Sequence, residues 1–204
     1  MKKQLCAIAI TSLLSTSAFA DNIGVFAGID YSTTNNSYSE TDLKDSNNFS
    51  GYIAFEHFIP LIPNVKLKHA TLNIEHENAD QESSMSNAIL YYQLFDNGMF
   101  EFDFGLAYTH AEDLSSQNTN LLQGYLAAKV QLPGLPMNVF AEGTTGSLTS
   151  DNATDAMLGV AYTFNPNSVL LNFSVRAGYR MQDMTINSVK QENKGLFAGV
   201  EVHF

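Results

Sequence analysis

The sequence predicts an all-β protein, a transmembrane antiparallel up-and-down β-barrel of ten strands, with eight strands as the alternative count. Apolar residues alternate with polar residues at a period of two along most of residues 21–204, and this alternation indicates strands with two unlike faces. The connections between these stretches alternate between short and long, as do the periplasmic turns and extracellular loops of outer-membrane barrels. A soluble sandwich has no reason to sort its connections in this way.

The first twenty residues predict a signal peptide. Two lysines precede an apolar stretch at residues 5–14, and small polar residues then lead to Ala-Phe-Ala at residues 18–20. A basic start, a short apolar region and an Ala-x-Ala site are typical of a secretory signal, whereas a transmembrane helix requires about 20 apolar residues. We therefore assign residues 1–20 to a cleaved signal peptide and residues 21–204 to one outer-membrane barrel domain.

The charge balance and the cysteine count exclude several classes of function. The 204 residues contain 10 Lys and Arg against 21 Asp and Glu. Without Lys2 and Lys3 of the signal peptide the counts are 8 and 21, which gives a net charge of −13 and argues against nucleic acid as a partner. The one cysteine, Cys6, lies in the signal peptide. We therefore expect no disulfide, no thiol nucleophile and no thiolate metal site in residues 21–204.

Ten stretches carry the alternation. They are residues 22–32, 48–58, 64–76, 84–95, 99–111, 120–132, 137–148, 154–164, 168–181 and 194–204. Long polar segments follow the first and the ninth stretch, whereas IPLIP, DNG, PGLP and NPN form the connections after the second, fourth, sixth and eighth. The short turns and both chain termini are therefore predicted at one end of the barrel, and the polar loops at the other.

The segment FEFDFGLAYT, residues 100–109, indicates which face meets lipid. Its aromatic and aliphatic residues alternate with Glu101, Asp103 and small residues. The lipid-facing side of a membrane barrel must be apolar while its interior may be polar. We therefore predict that the phenylalanines face lipid and that Glu101 and Asp103 face the interior. A soluble lipocalin-like barrel would show the reverse, with abundant Lys and Glu on its wet surface.

The third stretch departs from this pattern. His69 falls on the lipid face, and Leu72 and Ile74 change sides relative to Val65 and Leu67. We therefore expect a β-bulge or an altered register in this stretch.

Charged residues on the polar faces are the candidate interior groups. They are Glu56, Lys66, Lys68, Glu101, Asp103, Lys129, Glu142, Arg176, Arg180 and Glu201. An unpaired carboxylate in a narrow lumen is unfavourable, so we expect these acids to contact basic groups or water. We interpret the set as an ion-paired core that fills a ten-stranded barrel. The alternative is the charged constriction of a narrow diffusion pore.

Three short motifs lead to a family resemblance. Residues 56–67 read EHFIPLIPNVKL, residues 91–97 read YYQLFDN, and the sequence ends on Phe204. The chain resembles a family of small Gram-negative outer-membrane β-barrel proteins that share E-H-x-x-P-L-x-P-N-x-K-L, Y-Y-x-x-x-D-N and a terminal aromatic residue. The resemblance implies the fold, a location in the outer membrane of a Gram-negative bacterium and, at Phe204, an assembly signal. It assigns no catalytic residues.

Two clusters at the predicted outer rim combine histidine with carboxylates: His110 with Glu112 and Asp113, and His76 with Glu75 and Glu77. Such groups suit an omptin-like hydrolase or a metal site, yet the fourth strand separates the two clusters. A lipid-deacylating Ser–His site would need both residues on the lipid face, where His69 has no evident serine partner. We therefore predict no catalytic residues, no metal and no cofactor, with the rim hydrolase as the distant alternative.

The expected function is that of a structural or interaction barrel in the outer membrane, rather than that of an enzyme. Its loops are expected to carry a set of acids that can contact an outside partner or, through divalent cations, lipopolysaccharide phosphates. These acids are Glu40, Asp42, Asp45, Asp80, Glu82, Asp151, Asp155, Asp183 and Glu192. We expect a monomer whose partners are outer-membrane lipid, lipopolysaccharide and the barrel-assembly machinery, which would bind the last strand.

Overall fold

A computed structural model describes residues 23–204, apart from positions 40, 58, 60, 77–78, 114–115 and 169. The predicted signal peptide therefore lies outside the described residues. Ten strands follow one another along the chain: β1 (Ile23–Tyr38), β2 (Thr41–His57), β3 (Asn64–His76), β4 (Ala79–Asp96), β5 (Phe100–Glu112), β6 (Asn118–Gln131), β7 (Met137–Thr145), β8 (Asn152–Thr163), β9 (Asn172–Ile186) and β10 (Val189–His203). No helix within the described ranges is long and apolar enough to cross a bilayer.

The ten strands close into one antiparallel barrel. Each strand pairs with its neighbours in sequence, and β1 closes the ring against β10. The closing ladder runs from Phe26 opposite His203 to Tyr38 opposite Gln191. Phe204 continues it by exchanging backbone hydrogen bonds of 2.9 and 3.2 Å with Val25. Closure pairs the edge strands, which would otherwise present free amide and carbonyl groups to lipid, and it confirms the predicted ten-stranded barrel over the eight-stranded alternative.

The predicted long loops after the first and ninth strands are wrong. Strand β1 extends to Tyr38 and β2 begins at Thr41, while β9 extends to Ile186 and β10 begins at Val189. Asn187 and Ser188 both have positive φ, at 50° and 68°, as the central residues of a type I′ hairpin turn require. The sequence pattern misled because many of the inward residues of these segments, such as Thr34, Asn36 and Asn193, are hydroxyl or amide side chains, whose polarity resembles that of a loop.

The expected bulge in the third strand is also wrong. Strand β3 pairs with β4 in one unbroken register from Asn64 to His76. Leu72 is 1% exposed and points into the barrel, so its change of side reflects an apolar region of the interior. The register shifts in the described ladders lie elsewhere, between β1 and β2 and between β4 and β5.

The barrel is apolar outside and polar inside. Its exposed large hydrophobic residues lie on the outer face of the strands and include Ile29, Leu106, Leu126, Leu158 and Leu196, which are 56–70% exposed. Buried Asp, Lys, Arg, Asn and Gln side chains lie within. This distribution is the reverse of that in a soluble barrel and is that of a barrel whose exterior contacts lipid.

Candidate functional site

The candidate site is the barrel interior, which changes in character along the barrel axis. We call the end with the short turns, Ile23 and Phe204 the inner end, and the opposite end the outer end. From inner to outer end the interior contains an open cavity, a layer of ion pairs and an apolar cluster. Every charged residue predicted for the lumen lies in the first two of these regions.

The ion-pair layer is centred on Arg180 and Asp155. The Nε and Nη2 atoms of Arg180 donate to the two carboxylate oxygens of Asp155, each at 2.8 Å, and the two side chains are 2% and 1% exposed. Arg180 also donates to the Ser50 hydroxyl. A bidentate pair of this kind fixes the relative position of strands β8 and β9.

A second arginine, Arg176, links strands β1, β2, β9 and β10 through side-chain contacts. Arg176 donates to both carboxylate oxygens of Asp30, with its Nε at 2.7 Å, and lies 3.5 Å from Glu201. The Tyr52 hydroxyl donates to Glu201, and Arg176 lies over the Tyr52 ring at 4.8 Å from its centroid. These contacts join four strands around one buried guanidinium.

The lysines of β3 complete the layer. Lys66 and Lys68 both contact the carboxylate of Glu142 across the barrel, and Lys68 also lies 2.9 Å from Asp155. Side chains from β3, β7, β8 and β9 therefore form one network of ion pairs across the lumen. Buried ion pairs are tolerated only when each charge is matched and hydrogen-bonded, and these residues satisfy that condition together.

The cavity at the inner end, which we call the vestibule, has a volume of about 300 Å³ and is lined by residues that include Glu56, Glu101, Asp103, Lys129 and His203. Lys129 pairs with Glu101. Glu56 accepts hydrogen bonds from the Tyr91 hydroxyl at 2.7 Å and from Gln93 at 3.1 Å. The vestibule therefore presents a mainly acidic wall beneath the ion-pair layer.

The segment FEFDFGLAYT contains a glycine, Gly105, at a position where no larger residue fits. It faces inward between Tyr91 and Tyr125, its partners in the two flanking ladders. The two tyrosine rings lie 5.5 Å apart, and a Cβ at Gly105 would approach the Cα of Tyr91 to 2.7 Å. Glycine is therefore required there for the two tyrosines to pack together in the vestibule wall.

An apolar cluster, which we call the outer plug, fills the lumen at the outer end. Its members are Leu72, Met85, Ala111, Leu121, Ala153, Met184 and Ile186, none more than 2% exposed. Buried polar side chains surround the plug. Thr109 contacts Asn87 and Gln123 at 2.6 Å each, and Gln191 donates to Ser83 at 2.7 Å. The plug has no contact with the vestibule cavity, which the ion-pair layer separates from it.

Sequence reasoning missed two members of the ion-pair layer. Asp30 was not singled out, although it continues the inward alternation with Gly28 and Ser32. Asp155 was expected in an outer loop, but it lies on β8 and is buried against Arg180. Asp155 already lies inside the predicted stretch 154–164, and its position next to polar residues at the start of that stretch was a weak guide to its surroundings.

Most of the other predicted loop acids lie on the outer parts of strands. Only Asp151 lies in a connection between strands of the described chain, Glu40 is outside the described residues, and the rest belong to β2, β4, β9 or β10. In the β9–β10 hairpin, hydrogen bonds from Lys190 and Lys194 lower the pKa of the Glu192 carboxyl. That part of the outer surface therefore carries paired charge rather than free acid.

The rim residues of the distant hydrolase alternative are described only in part, since the side chains of Glu75 and His76 lie outside the described part of the structure. His110 faces outward and contacts Asn120 Oδ1 at 2.9 Å, whereas Asp113 is buried and accepts a hydrogen bond from the Gln117 amide at 2.9 Å. Glu77 lies outside the described residues. Within the part of the chain that the structure describes, no three His, Cys, Asp or Glu residues are arranged to hold a metal ion.

No protein-family model and no curated protein sequence matches the chain. Among solved structures, the outer-membrane protease OmpT from Escherichia coli is similar at 6% identity, over 91% of this chain and 97% of OmpT, with a TM-score of 0.51. Neisserial surface protein A matches at 19% identity, over 88% and 97% of the two chains, with a TM-score of 0.45. The β domain of the Bordetella autotransporter BrkA matches at 9% identity, over 90% and 99%, with a TM-score of 0.49.

The likeness to OmpT shows the fold alone. Together with the apolar exterior and the closed ladder, it defines the class of protein: an integral β-barrel of the outer membrane of a Gram-negative bacterium. The outward aromatic residues fit this placement, since Phe100, Phe164 and Phe204 are exposed near the inner end and Tyr108 and Tyr179 toward the outer end. Outer-membrane lipid is therefore the immediate surrounding of the barrel.

Proposed function

We propose that this protein is a closed, non-conducting outer-membrane barrel whose interior is structural. The observation that supports the proposal is the outer plug, in which seven apolar side chains, none more than 2% exposed, lie in the lumen on the outer side of the ion-pair layer. A diffusion pore requires a continuous water path, lined by polar groups. The ion-pair layer then stabilises the barrel and carries no solute, and the interior performs no reaction.

The outer parts of the hairpins are the surface that this barrel would present to the medium. The β1–β2 and β9–β10 hairpins belong to this outer surface, and Lys190, Glu192 and Lys194 form paired charges on β10. We therefore assign any interaction role to this surface, with lipopolysaccharide phosphates as ligands of the ammonium groups. The barrel acts as a monomer, and the strand that ends on Phe204 is the part that the assembly machinery would bind.

Side-specific labelling tests the closed interior. In a Cys6→Ala background, an Ala127→Cys variant places one thiol in the vestibule wall, and a Leu148→Cys variant places one in the β7–β8 connection, where Leu148 is 87% exposed. A membrane-impermeant maleimide that is too large for general porins should label the Leu148→Cys variant in intact cells. It should label the Ala127→Cys variant only after the outer membrane is permeabilised. Labelling of both variants in intact cells would mean that the interior is open to the outside.

A further inference from the structure

A row of polar side chains crosses the lipid-facing side of four neighbouring strands. The ladder places His69 of β3 opposite Ser86 of β4, Ser86 opposite His110 of β5, and His110 opposite Asn120 of β6. Directly opposed residues of an antiparallel pair have side chains close enough to interact. Ser86 therefore lies between two histidines on the outer surface, away from the interior described above.

Two hydrogen bonds organise this row. His69 Nδ1 lies 2.8 Å from Ser86 Oγ, and His110 Nδ1 lies 2.9 Å from Asn120 Oδ1. Because a carbonyl oxygen only accepts, His110 must carry its proton on Nδ1 in the second contact, and Nε2 is then a hydrogen-bond acceptor. The sequence alone gave no serine partner for His69, because Ser86 is 17 positions away and only the β3–β4 register brings the two together.

The row lies where the barrel surface changes from apolar to polar. On each of the four strands, the next outward-facing residue toward the inner end is apolar: Leu67, Ala88, Tyr108 and Leu122. The next one toward the outer end is polar: Thr71, Ser84, Glu112 and Asn118. In a bilayer this change marks the level at which acyl chains join their headgroups. Ester carbonyls of membrane lipids lie at that level.

A shallow groove of about 600 Å³ covers this row and the next row of outward residues toward the inner end. Its wall includes Gly51, Ile53, Leu67, Ala88 and Tyr108, together with both histidines and Ser86. The small residues Gly51 and Ala88 keep the surface low between larger neighbours. A straight fatty acyl chain is the occupant that fits an apolar groove standing in lipid with its polar end at the interface.

We propose that Ser86 and His69 form an acyl-ester hydrolase site on the lipid-facing surface, which cleaves ester-linked fatty acyl chains of membrane lipids. A serine hydroxyl bonded to a histidine is the nucleophile and base pair of acyl transfer, and a second histidine, held by a side-chain amide, lies beside this pair. The site is independent of the closed interior. It would add an activity to a barrel that the sequence predicted to be non-enzymatic.

The reaction balances with water as the second reactant. Ser86 Oγ attacks the ester carbonyl carbon while His69 Nδ1 takes the hydroxyl proton, and the bond from the carbonyl carbon to the lipid alkoxide then breaks. His69 returns the proton to the alkoxide, which leaves an acyl ester on Ser86. Water from the interface attacks that ester, its proton passes to His69 and then to Oγ, and a free fatty acid leaves. His110 Nε2, the unprotonated ring nitrogen, accepts a hydrogen bond from the attacking water, and Asn120 is a positioning residue for His110.

The test uses the full refolded protein and two substrates. Phospholipid vesicles and purified lipopolysaccharide are each incubated with wild type, and free fatty acid is measured by mass spectrometry. A serine-directed fluorophosphonate is used in parallel to find an adduct on Ser86. Heat-modifiable gel mobility establishes that each variant is folded. Release from one substrate only identifies the lipid that the site takes, and release from either one supports the proposal.

The variants separate the site from its surroundings. Ser86→Ala should reduce acyl release to background and remove the adduct, and His69→Gln should lower the rate by about 100-fold or more. Ser84→Ala, on the same face of the same strand, should leave both unchanged. Asn120→Ala should lower kcat with little change in KM and should shift the pH profile of the rate. Asn120→Asp should restore kcat and the pH profile. Equal release by wild type and Ser86→Ala, or no release together with no adduct, would overturn the proposal.

Discussion

Replacement of Arg180 by methionine is expected to lower the free energy of unfolding by about 3–5 kcal/mol. Arg180 is 2% exposed, and its two donors satisfy both carboxylate oxygens of Asp155 at 2.8 Å. Methionine keeps much of the side-chain volume but leaves a buried carboxylate with Lys68 as its remaining basic contact. Removal of one partner of a buried pair is unfavourable because the other charge stays desolvated. Urea titration of the refolded barrel in lipid vesicles measures the change.

Two further variants test whether the lost stability comes from the unpaired buried charge of Asp155. The double variant Arg180→Met with Asp155→Leu should recover most of the lost stability, because replacing both partners leaves no unpaired charge. Lys190→Met removes an ion pair whose lysine is 54% exposed, and an exposed pair of this kind contributes at most about 1 kcal/mol. If Arg180→Met changed stability no more than Lys190→Met does, the interior ion pairs would not be what holds the strands together.

Replacement of Leu106 by arginine is expected to cost about 2–4 kcal/mol of unfolding free energy. Leu106 lies in the middle of β5 and is 57% exposed on the apolar face, where lipid would have to solvate the guanidinium. In a soluble protein, a substitution at a residue this exposed would change the free energy of unfolding very little. The size of the effect therefore reports which solvent surrounds this face, and the same urea titration in vesicles measures it.

Leu148→Arg is the matched control. Leu148 is 87% exposed and lies in the β7–β8 connection, where water surrounds the side chain, so a change within about 0.5 kcal/mol is expected. Equal effects of the two substitutions would contradict the assignment of the apolar face to lipid.

The fold was largely predictable because membrane barrels have a simple surface rule. In residues 100–109, one face had to be apolar and the other could be polar, so alternation alone placed Glu101 and Asp103 inside. The prediction failed at the outer end of the barrel, where the interior is apolar. Leu72 belongs to the outer plug and points inward, and a rule that puts every large apolar residue outside predicts a bulge there instead.

The contacts of the site were less predictable than its members. Lys66, Lys68, Glu142, Arg176 and Arg180 were all expected inside, and the structure places them in one layer. Their pairing depends on which strands face one another across the lumen, and alternation within a strand carries no information about that. Lys66 meets Glu142 across 76 positions of sequence, and Arg176 meets Asp30 across 146.

The Ser86–His69 contact shows the same limit on the outer surface. Each residue alone is an ordinary polar residue near the outer ends of β3 and β4. Only the register of the ladder, in which His69 lies opposite Ser86 and Ser86 opposite His110, turns three scattered residues into a group. Register depends on turn geometry and on the packing of both faces, and the β3–β4 turn has no sequence feature that fixes its length.

Single-channel conductance of the refolded protein in a planar bilayer tests the central claim most directly, which is that the barrel interior is closed. With folding verified by heat-modifiable mobility, wild type should give a silent bilayer at all applied voltages, because the outer plug and the ion-pair layer leave no water path beyond the vestibule. Reproducible openings, with an ion selectivity that changes in Glu101→Ala or Arg176→Ala, would contradict the closed interior and establish a pore.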